Sequence, residues 1–485
     1  MSTVRNSIVY STLESWVSVV LQVASGVVIA RLLNPEELGV FAVAAVFASL
    51  ASTFRDFGVG EYLIQKTDVS DDAIRAALTV NIVISWLMSL LLLALAPVAS
   101  EFYRQHGVAD VMRVQAISFV LIPFGAVTMA WFRRELNFKP MFVANIWASV
   151  VSFAVAVGLA LSGYGYMSLA WSSVAGVAVT VGVANYFRGS TLPRLPGVRG
   201  VGEVVRFGRF VSSIYIVGEL GRGAPDLILG RLLDLSAVGM LGRAVGLVEI
   251  FQRLVLRAVM RVCLPYFAQG VREEGSPLGG FLTAMSYLTT VGWVFLLFMA
   301  LASYSAIRII YGVQWMDAVE LAQILCVAAA IELAYVPAKE AMLSVGRAKE
   351  SSALQLASQG MRVAGILVAV PFGLVGACWG LLGASLGGAW LSHRVLRRTI
   401  GLRWSDVVKA SSPGFWVALL SLGPVALMGL VWPADENNYV VFGVVGATVT
   451  AAGWGGLLWW VGHPLFKEVS ELISNVWQSV GRLGG

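Results

Sequence analysis

Charged residues recur within two apolar segments of this 485-residue chain. The first segment carries Glu219, Arg222 and Asp226, a spacing that places all three on one face of a helix. The second segment carries five charges: Arg243, Glu249, Arg253, Arg257 and Arg261. At about 100° per residue these five fall within an arc of roughly 120°. Guanidinium groups bind phosphate oxygens in a bidentate manner, so the second face has the chemistry of an anion-binding surface.

The predicted roles divide these charges into two sets. Ligand contacts are assigned to four arginines: Arg222, Arg243, Arg253 and Arg257. The carboxylates of Glu219, Asp226 and Glu249 are either salt-bridge partners of these arginines or cation-coupling groups. The alternative is that all these charges pair among themselves and only hold the helices together. Arg55 and Asp56, near the end of another apolar segment, are interpreted as a structural or gating pair.

The composition places these charges in a membrane protein. Hydrophobic residues make up 58% of the chain and charged residues only 13%, with a mean hydropathy of +0.79. Soluble domains carry about 25% charged residues, so the chain has too little polar surface to face water. A charge near the bilayer centre costs about 2.5–3.5 kcal/mol, which indicates that the charged faces line a cavity. The net charge of +6 follows membrane topology and does not indicate nucleic-acid binding.

The apolar segments predict an all-α protein of about fourteen transmembrane helices, each needing about 20 residues. The predicted spans lie near 9–31, 38–60, 74–98, 108–130, 141–162, 164–187, 207–230, 236–262, 280–304, 317–340, 351–370, 373–392, 413–433 and 439–462. Basic residues concentrate in alternate loops, a pattern that places both termini in the cytoplasm.

The loops divide the chain into five parts. An N-terminal six-helix bundle (1–187) is followed by a basic cytoplasmic linker (188–206) and a second six-helix bundle (207–395). Helices thirteen and fourteen occupy 396–462. The tail, 463–485, has apolar residues at helical spacing and is predicted to be an amphipathic helix on the inner leaflet.

Two short patterns recur between the halves. Arg31-Leu32-Leu33 followed by Gly39 returns as Arg231-Leu232-Leu233 followed by Gly239, at an offset of 200 residues. Gly165 and Trp171 return as Gly373 and Trp379, at an offset of 208. Parallel repeats of this kind are a transporter architecture with the substrate site between the halves. The alternative is chance similarity among helices rich in Leu, Gly and Trp.

Catalytic patterns are absent from the sequence. It contains no nucleophile–base set, no Gly-rich phosphate loop and no metal-ligand spacing. We therefore expect neither an enzyme nor a bound cofactor or metal, and energy from an ion gradient or the membrane potential.

Several segments resemble one family in order and spacing: Ala30 to Phe41, Asp56 to Lys66, Phe132 to Lys139, Asp226 to Leu233 and Leu264 to Ala268. The family is the polysaccharide transporter (Wzx-type) family of the multidrug/oligosaccharidyl-lipid/polysaccharide (MOP) exporter superfamily, and the chain is most similar to colanic-acid-type exporters. It departs from the family at residues 234–237, where the family has a Gly-containing turn.

The resemblance implies two six-helix bundles forming a V around a central cavity, with helices thirteen and fourteen appended. It implies a flippase that moves an undecaprenyl-pyrophosphate-linked oligosaccharide to the outer leaflet of the bacterial inner membrane for lipopolysaccharide or exopolysaccharide synthesis. The expected partners are the lipid-linked substrate, a polysaccharide polymerase and chain-length machinery, with the flippase itself a monomer.

Three alternatives stay open. A cation-coupled multidrug exporter of the same superfamily would favour carboxylates and aromatic residues over arginines in its cavity. A membrane polysaccharide polymerase or ligase would need a long outer loop carrying catalytic groups, and no predicted outer loop is long. A flippase for the peptidoglycan precursor would be another member of the same superfamily.

Overall fold

The computed structural model describes residues 21–462 except 23, 57, 190, 191 and 194, together with Leu465. The described residues form helices, turns and loops without a β-strand. The predicted first span, 9–31, is described only from residue 21. The predicted amphipathic tail, 463–485, lies outside the described residues except for Leu465.

The chain folds into two compact units, residues 1–242 and 243–485. The helices of the first unit that we label are α1 (Pro35–Asp56), α2 (Val59–Gln65), α3 (Asp71–Tyr103), α4 (His106–Leu121), α5 (Pro123–Arg134), α6 (Phe138–Leu161), α7 (Met167–Tyr186) and α8 (Val201–Leu232). Helix α1 packs against α8 and α4, α3 packs against α4, and α6 packs against α7.

Helix α9 (Leu235–Phe251) begins in the first unit and enters the second, where a π-helical turn (Gln252–Leu256) leads into α10. The remaining helices are α10 (Arg257–Glu274), α11 (Leu278–Leu301), α12 (Ser303–Ile310), α13 (Ala318–Leu333), α14 (Ala338–Ser344), α15 (Ala348–Ala369), α16 (Gly373–Thr399), α17 (Trp404–Val431) and α18 (Tyr439–Val461). In this unit α15 packs against α16, and α11 packs against both α13 and α17.

Ten helical stretches among the described residues are long and apolar enough to cross a membrane, or eleven if the bent pair α4 and α5 is one span. The stretch Ala348–Thr399 covers two predicted spans, and α8 is a helix of 32 residues that is not among the ten. Each predicted span from the second to the fourteenth therefore has a helical counterpart. The total of fourteen crossings stays a prediction.

Two helix ends differ clearly from the sequence prediction. The predicted eighth span ends at 262, whereas the helical path continues through the π turn to Glu274 despite Pro265. The predicted seventh span begins at 207, whereas α8 begins at Val201, directly after Gly200 at φ 88°. These ends contain polar and basic residues, so a prediction from apolar segments stops before them. The helices nevertheless extend past the apolar core of each span.

Side-chain size separates the packed face of α3 from its outer face. Ala76 and Ala96 are fully buried, whereas Leu87 and Leu90 are more than half exposed. Small residues let membrane helices approach closely, and lipid accepts large apolar side chains. This arrangement is that of a helix packed in a bundle with its opposite face toward lipid.

The first recurring pattern forms a reciprocal helix crossing within residues 1–242. A Cβ atom added at Gly39 would overlap the carbonyl oxygen of Leu235, and one added at Gly239 would overlap the carbonyl oxygen of Pro35. Residues 35 and 235 stand at the same offset of 200 as the two glycines. The two copies therefore contact each other through equivalent positions, with each glycine against the first turn of the other helix.

The second recurring pattern has a glycine of positive φ at the same place in both halves. Gly165 (φ 52°) and Gly373 (φ 80°) lie at or just before the starts of α7 and α16, in a region of backbone space that favours glycine. Six residues later Trp171 and Trp379 are 39% and 57% exposed. Both patterns thus mark equivalent structural positions, while the division into six-helix bundles at the 188–206 linker stays a prediction.

Candidate functional site

The charged face of α8 contains one ion pair and one carboxylate that has no ion-pair partner among the described residues. Glu219 and Arg222 form a salt bridge, with their side chains 17% and 69% exposed. Asp226, one turn further on, is partly buried and forms no ion pair with the described residues. The same helix packs on α1 through Gly223 and Gly230. The spacing correctly predicted a shared face, but only Arg222 is well exposed.

Arg243 lies among aromatic rings of the second unit. Its guanidinium carbon is 5.4 Å from the ring centroids of both Tyr311 and Trp315. Trp315 is fully buried and Tyr311 is 6% exposed. The Nε atom of Arg243 is buried without a hydrogen-bond partner among the described residues. Arg243, the first arginine of the second charged segment, is therefore held in place by cation–π contacts.

Glu249 and Arg253 form an ion pair at the entrance to the π turn. Arg253 Nη2 donates to Glu249 Oε2 at 2.5 Å, with the two side chains 29% and 40% exposed. Arg253 lies within the π turn Gln252–Leu256. Such turns are rare and often occur at functional sites. The wider turn interrupts the 100° rotation per residue, so the predicted arc of five charges does not continue unchanged across it.

Arg257 and Arg261 follow the π turn on α10. Both side chains are exposed, and neither forms an ion pair with the described residues. They differ in this respect from Arg222 and Arg253, which bind carboxylates on their own helices. Of the four arginines predicted to contact ligand, Arg257 is the one whose guanidinium is both exposed and without a described carboxylate partner.

Arg55 and Asp56 form the predicted ion pair at the end of α1. Arg55 Nε donates to Asp56 Oδ1 at 3.0 Å, and the Arg55 guanidinium lies 5.9 Å from the Phe119 ring. Arg55 is 14% exposed and Asp56 is 69% exposed. The pair borders a cavity of about 270 Å³ in the first unit. Glu61, Asn81 and Arg133 also line it, and the sequence interpretation missed all three.

Two further polar contacts in the first unit were not predicted. Arg134 donates to the carbonyl oxygens of Leu63 and Lys66 at 2.6 Å and of Thr67 at 2.9 Å, so it caps the C-terminus of α2. Lys66 donates to Glu203 Oε2 at 2.8 Å, across the gap from α2 to α8. Residue spacing could not reveal this role of Arg134, because its carbonyl partners lie about 70 residues away in the chain.

A side-chain hydrogen bond joins two helices of the second unit. The Ser385 hydroxyl donates to Glu332 Oε1 at 2.6 Å, joining α16 to α13. A partly buried glutamate within an apolar span needs such a partner. This contact assigns Glu332 a structural position.

Helices of this length and apolarity define the class as a multi-pass membrane protein built from two helical units. The fold matches a solved structure of the lipid II flippase MurJ in an inward closed conformation, with a TM-score of 0.72 and 12% identity over 93% of this chain and 99% of that one. It also matches an inward-facing multidrug resistance MATE transporter of the MOP superfamily, with a TM-score of 0.61 and 14% identity over 84% and 99% of the two chains. These matches show the MOP exporter fold.

The family described as Polysaccharide biosynthesis protein matches residues 28–320, and the chain belongs to that family. The teichuronic acid biosynthesis protein TuaB of Bacillus subtilis (strain 168) is 25% identical over 296 residues, which are 60% of this chain and 61% of TuaB. The lipopolysaccharide biosynthesis protein WzxC of Escherichia coli (strain K12) is 20% identical over 429 residues, or 87% of each chain. The chain thus spans about three fifths of TuaB and most of WzxC.

Proposed function

We propose that this protein is a flippase that carries an undecaprenyl-pyrophosphate-linked oligosaccharide from the cytoplasmic to the outer leaflet of the bacterial inner membrane. The observation that carries the proposal is that the arginines of the second charged segment continue past the π turn onto α10. Family membership supports polysaccharide biosynthesis, and the fold is one that also occurs in a lipid II flippase. Transport without covalent chemistry, two cytoplasmic termini and a monomeric state belong to the same proposal.

Arg257 and Arg253 are proposed to bind the pyrophosphate. A pyrophosphate entering a low-dielectric cavity loses hydration, and guanidinium groups offset that loss with charge-assisted hydrogen bonds. Arg257 is exposed for this contact. Arg253 is held by Glu249 and would exchange this partner for the ligand. Arg243, enclosed by aromatic rings, is assigned a positioning role instead of the predicted direct contact.

Asp226 is the carboxylate best suited to coupling. Glu219 and Glu249 already bind arginines, whereas Asp226 forms no described ion pair and is partly buried on α8. A buried carboxylate without a fixed cation can bind and release a proton or sodium ion during transport. The predicted V-shaped arrangement of two bundles and the gating role of Arg55 and Asp56 complete the proposal.

The test is the double variant Arg253→Ala/Arg257→Ala in the producing strain. We expect surface polysaccharide to be lost, with lipid-linked repeat units retained on the inner leaflet and normal amounts of protein in the membrane. Arg272→Ala, in the last turn of the same helix, is the matched control and should export normally. Normal export by the double variant would contradict the headgroup assignment. Loss of resistance to cationic drugs with intact export would instead favour the multidrug exporter.

A further inference from the structure

The polar cavity at the end of α1 lies where two interrupted helical paths meet. Helix α1 stops at Asp56 and α2 starts at Val59, while α4 and α5 meet at a bend of 55°. Small residues border this junction, with Gly60 and Ala130 on facing sides. The junction leaves about 270 Å³ open, the volume of about nine water molecules and enough for one pyranose ring.

The charged groups that line the cavity balance. Arg55 and Arg133 contribute two positive charges, and Asp56 and Glu61 contribute two negative charges. Nε and Nη2 of Arg55 both donate to Oδ1 of Asp56, which leaves Oδ2 outside that pair. A phosphate would meet two carboxylates here and a metal cation would meet two guanidinium groups. The lining therefore suits a neutral ligand that both donates and accepts hydrogen bonds.

Asn81 is a second, independent indication of a ligand. It lies within α3, is 6% exposed and lines the cavity. Its Oδ1 accepts only a 3.4 Å contact from the Ser85 hydroxyl, and its amide nitrogen donates to none of the described residues. A buried amide with unused hydrogen-bonding capacity costs free energy. A ligand hydroxyl in the cavity would supply the missing partner.

We propose that this cavity is a saccharide subsite that binds one uncharged sugar residue of the transported repeat unit. Asn81, Asp56 and Glu61 bind sugar hydroxyls, Arg133 donates from the mouth, and the alanine-lined wall accepts the apolar face of the ring. The proposal rests on the flippase function and adds a determinant of which repeat unit is carried. It assigns recognition of the sugar to the first unit and leaves the pyrophosphate to Arg253 and Arg257.

The test measures saccharide binding by the full chain in lipid nanodiscs, separately from export. The probe is the free repeat-unit oligosaccharide released by mild acid from the polysaccharide of the producing strain, followed by saturation-transfer NMR. We expect the signals of one sugar residue to dominate, and Asn81→Leu to weaken binding at least tenfold. An excess of inorganic phosphate should not displace the saccharide.

A cavity-filling series guards against a folding defect in Asn81→Leu. A Cβ added at Gly60 has Ala130 Cβ as its nearest neighbour at 3.9 Å, so Gly60→Ala is accommodated at the cavity lining, and Gly60→Val adds two further methyl groups there. Binding should fall stepwise along this series with an unchanged melting temperature. Gly182→Val, where an added Cβ meets nothing within 4 Å, is the matched control and should bind like the wild type.

Three outcomes would overturn the subsite: no saccharide signal from the wild type, unchanged binding in Gly60→Val, or displacement by phosphate. Because the probe carries no pyrophosphate, these outcomes do not depend on Arg253 and Arg257. Failure of the flippase proposal would appear separately, as normal export by the double arginine variant.

Discussion

The two copies of the Arg-Leu-Leu pattern share a glycine and differ in the residues that follow it. Gly39 and Gly239 occupy matching places in one helix crossing. Four residues later the first copy has Val43, which is fully buried, whereas the second has Arg243 between two aromatic rings. The packing position is the same in both copies, and only the second has a charged residue four positions later. The comparison separates what the fold needs from what the proposed transport needs.

The copies also end differently. The first copy stops at Asp56 and resumes as the short helix α2, whose C-terminus is capped by Arg134. At the same offset the second copy passes through a π turn into Arg257 without a break. An arginine bound to backbone carbonyls and an exposed arginine are indistinguishable in a count of charges. Their roles follow from the acceptors that the fold places beside them.

The largest expected effect tests the shared glycines. Gly39→Ala and Gly239→Ala each place a Cβ onto a backbone carbonyl of the other helix, which side-chain rearrangement cannot relieve. We expect each to cost about 3 kcal/mol or more, seen as low folded yield and a lower melting temperature in detergent. Gly242→Ala, on the same helix with nothing within 4 Å of an added Cβ, should melt like the wild type. Equal melting of all three would show that the crossing is not tightly packed.

Sequence reasoning identified these glycines as parts of a repeated pattern, because they recur at a fixed offset of 200 residues, but it did not predict that they meet in one helix crossing. It could not predict the polar cavity, because its lining comes from three stretches: 55–61, Asn81 and 126–133. The spacing of the residues could not predict the π turn either, because a single wider turn does not change the amino-acid composition of a helix. It did place Glu219, Arg222 and Asp226 on one face, since those residues lie within three helical turns.

The next effect tests the capped end of the first copy. Arg134→Ala removes three short hydrogen bonds to carbonyls at the end of α2. Charge-assisted bonds contribute about 1.5–3 kcal/mol, so we expect a loss of about 2 kcal/mol and faster amide exchange over residues 59–67. Arg133→Ala changes the neighbouring exposed arginine and should leave the melting temperature unchanged. Unaltered exchange in Arg134→Ala would refute the capping role.

A smaller effect tests Arg243, the charged residue of the second copy that has no counterpart in the first. Arg243→Lys keeps the charge but loses the flat guanidinium between Tyr311 and Trp315, and we expect a loss of about 1 kcal/mol. Stability and export should fall together in this variant, measured by melting temperature and surface polysaccharide. Arg257→Ala should lower export at unchanged stability. If Arg243→Lys lost export at full stability, Arg243 would contact the substrate directly.

The smallest effect concerns the ion pair that joins α2 to α8. Hydrogen bonding to Glu203 raises the pKa of Lys66 above 10.5, and the same bond lowers the pKa of Glu203 below 4.5. The stabilisation from Lys66 is lost as the pH rises through its raised pKa. The stabilisation from Glu203 is lost as the pH falls through its lowered pKa. The pair therefore contributes fully between about pH 5 and 10, by less than about 1 kcal/mol because both groups are solvent-accessible.

Because the contribution of the pair is small, Lys66→Met should flatten the acid limb of the melting profile near pH 4 only slightly. The second copy has Tyr266 at the equivalent place. A large shift there would mean that the pair, and not the Arg134 cap, holds this end of the first copy.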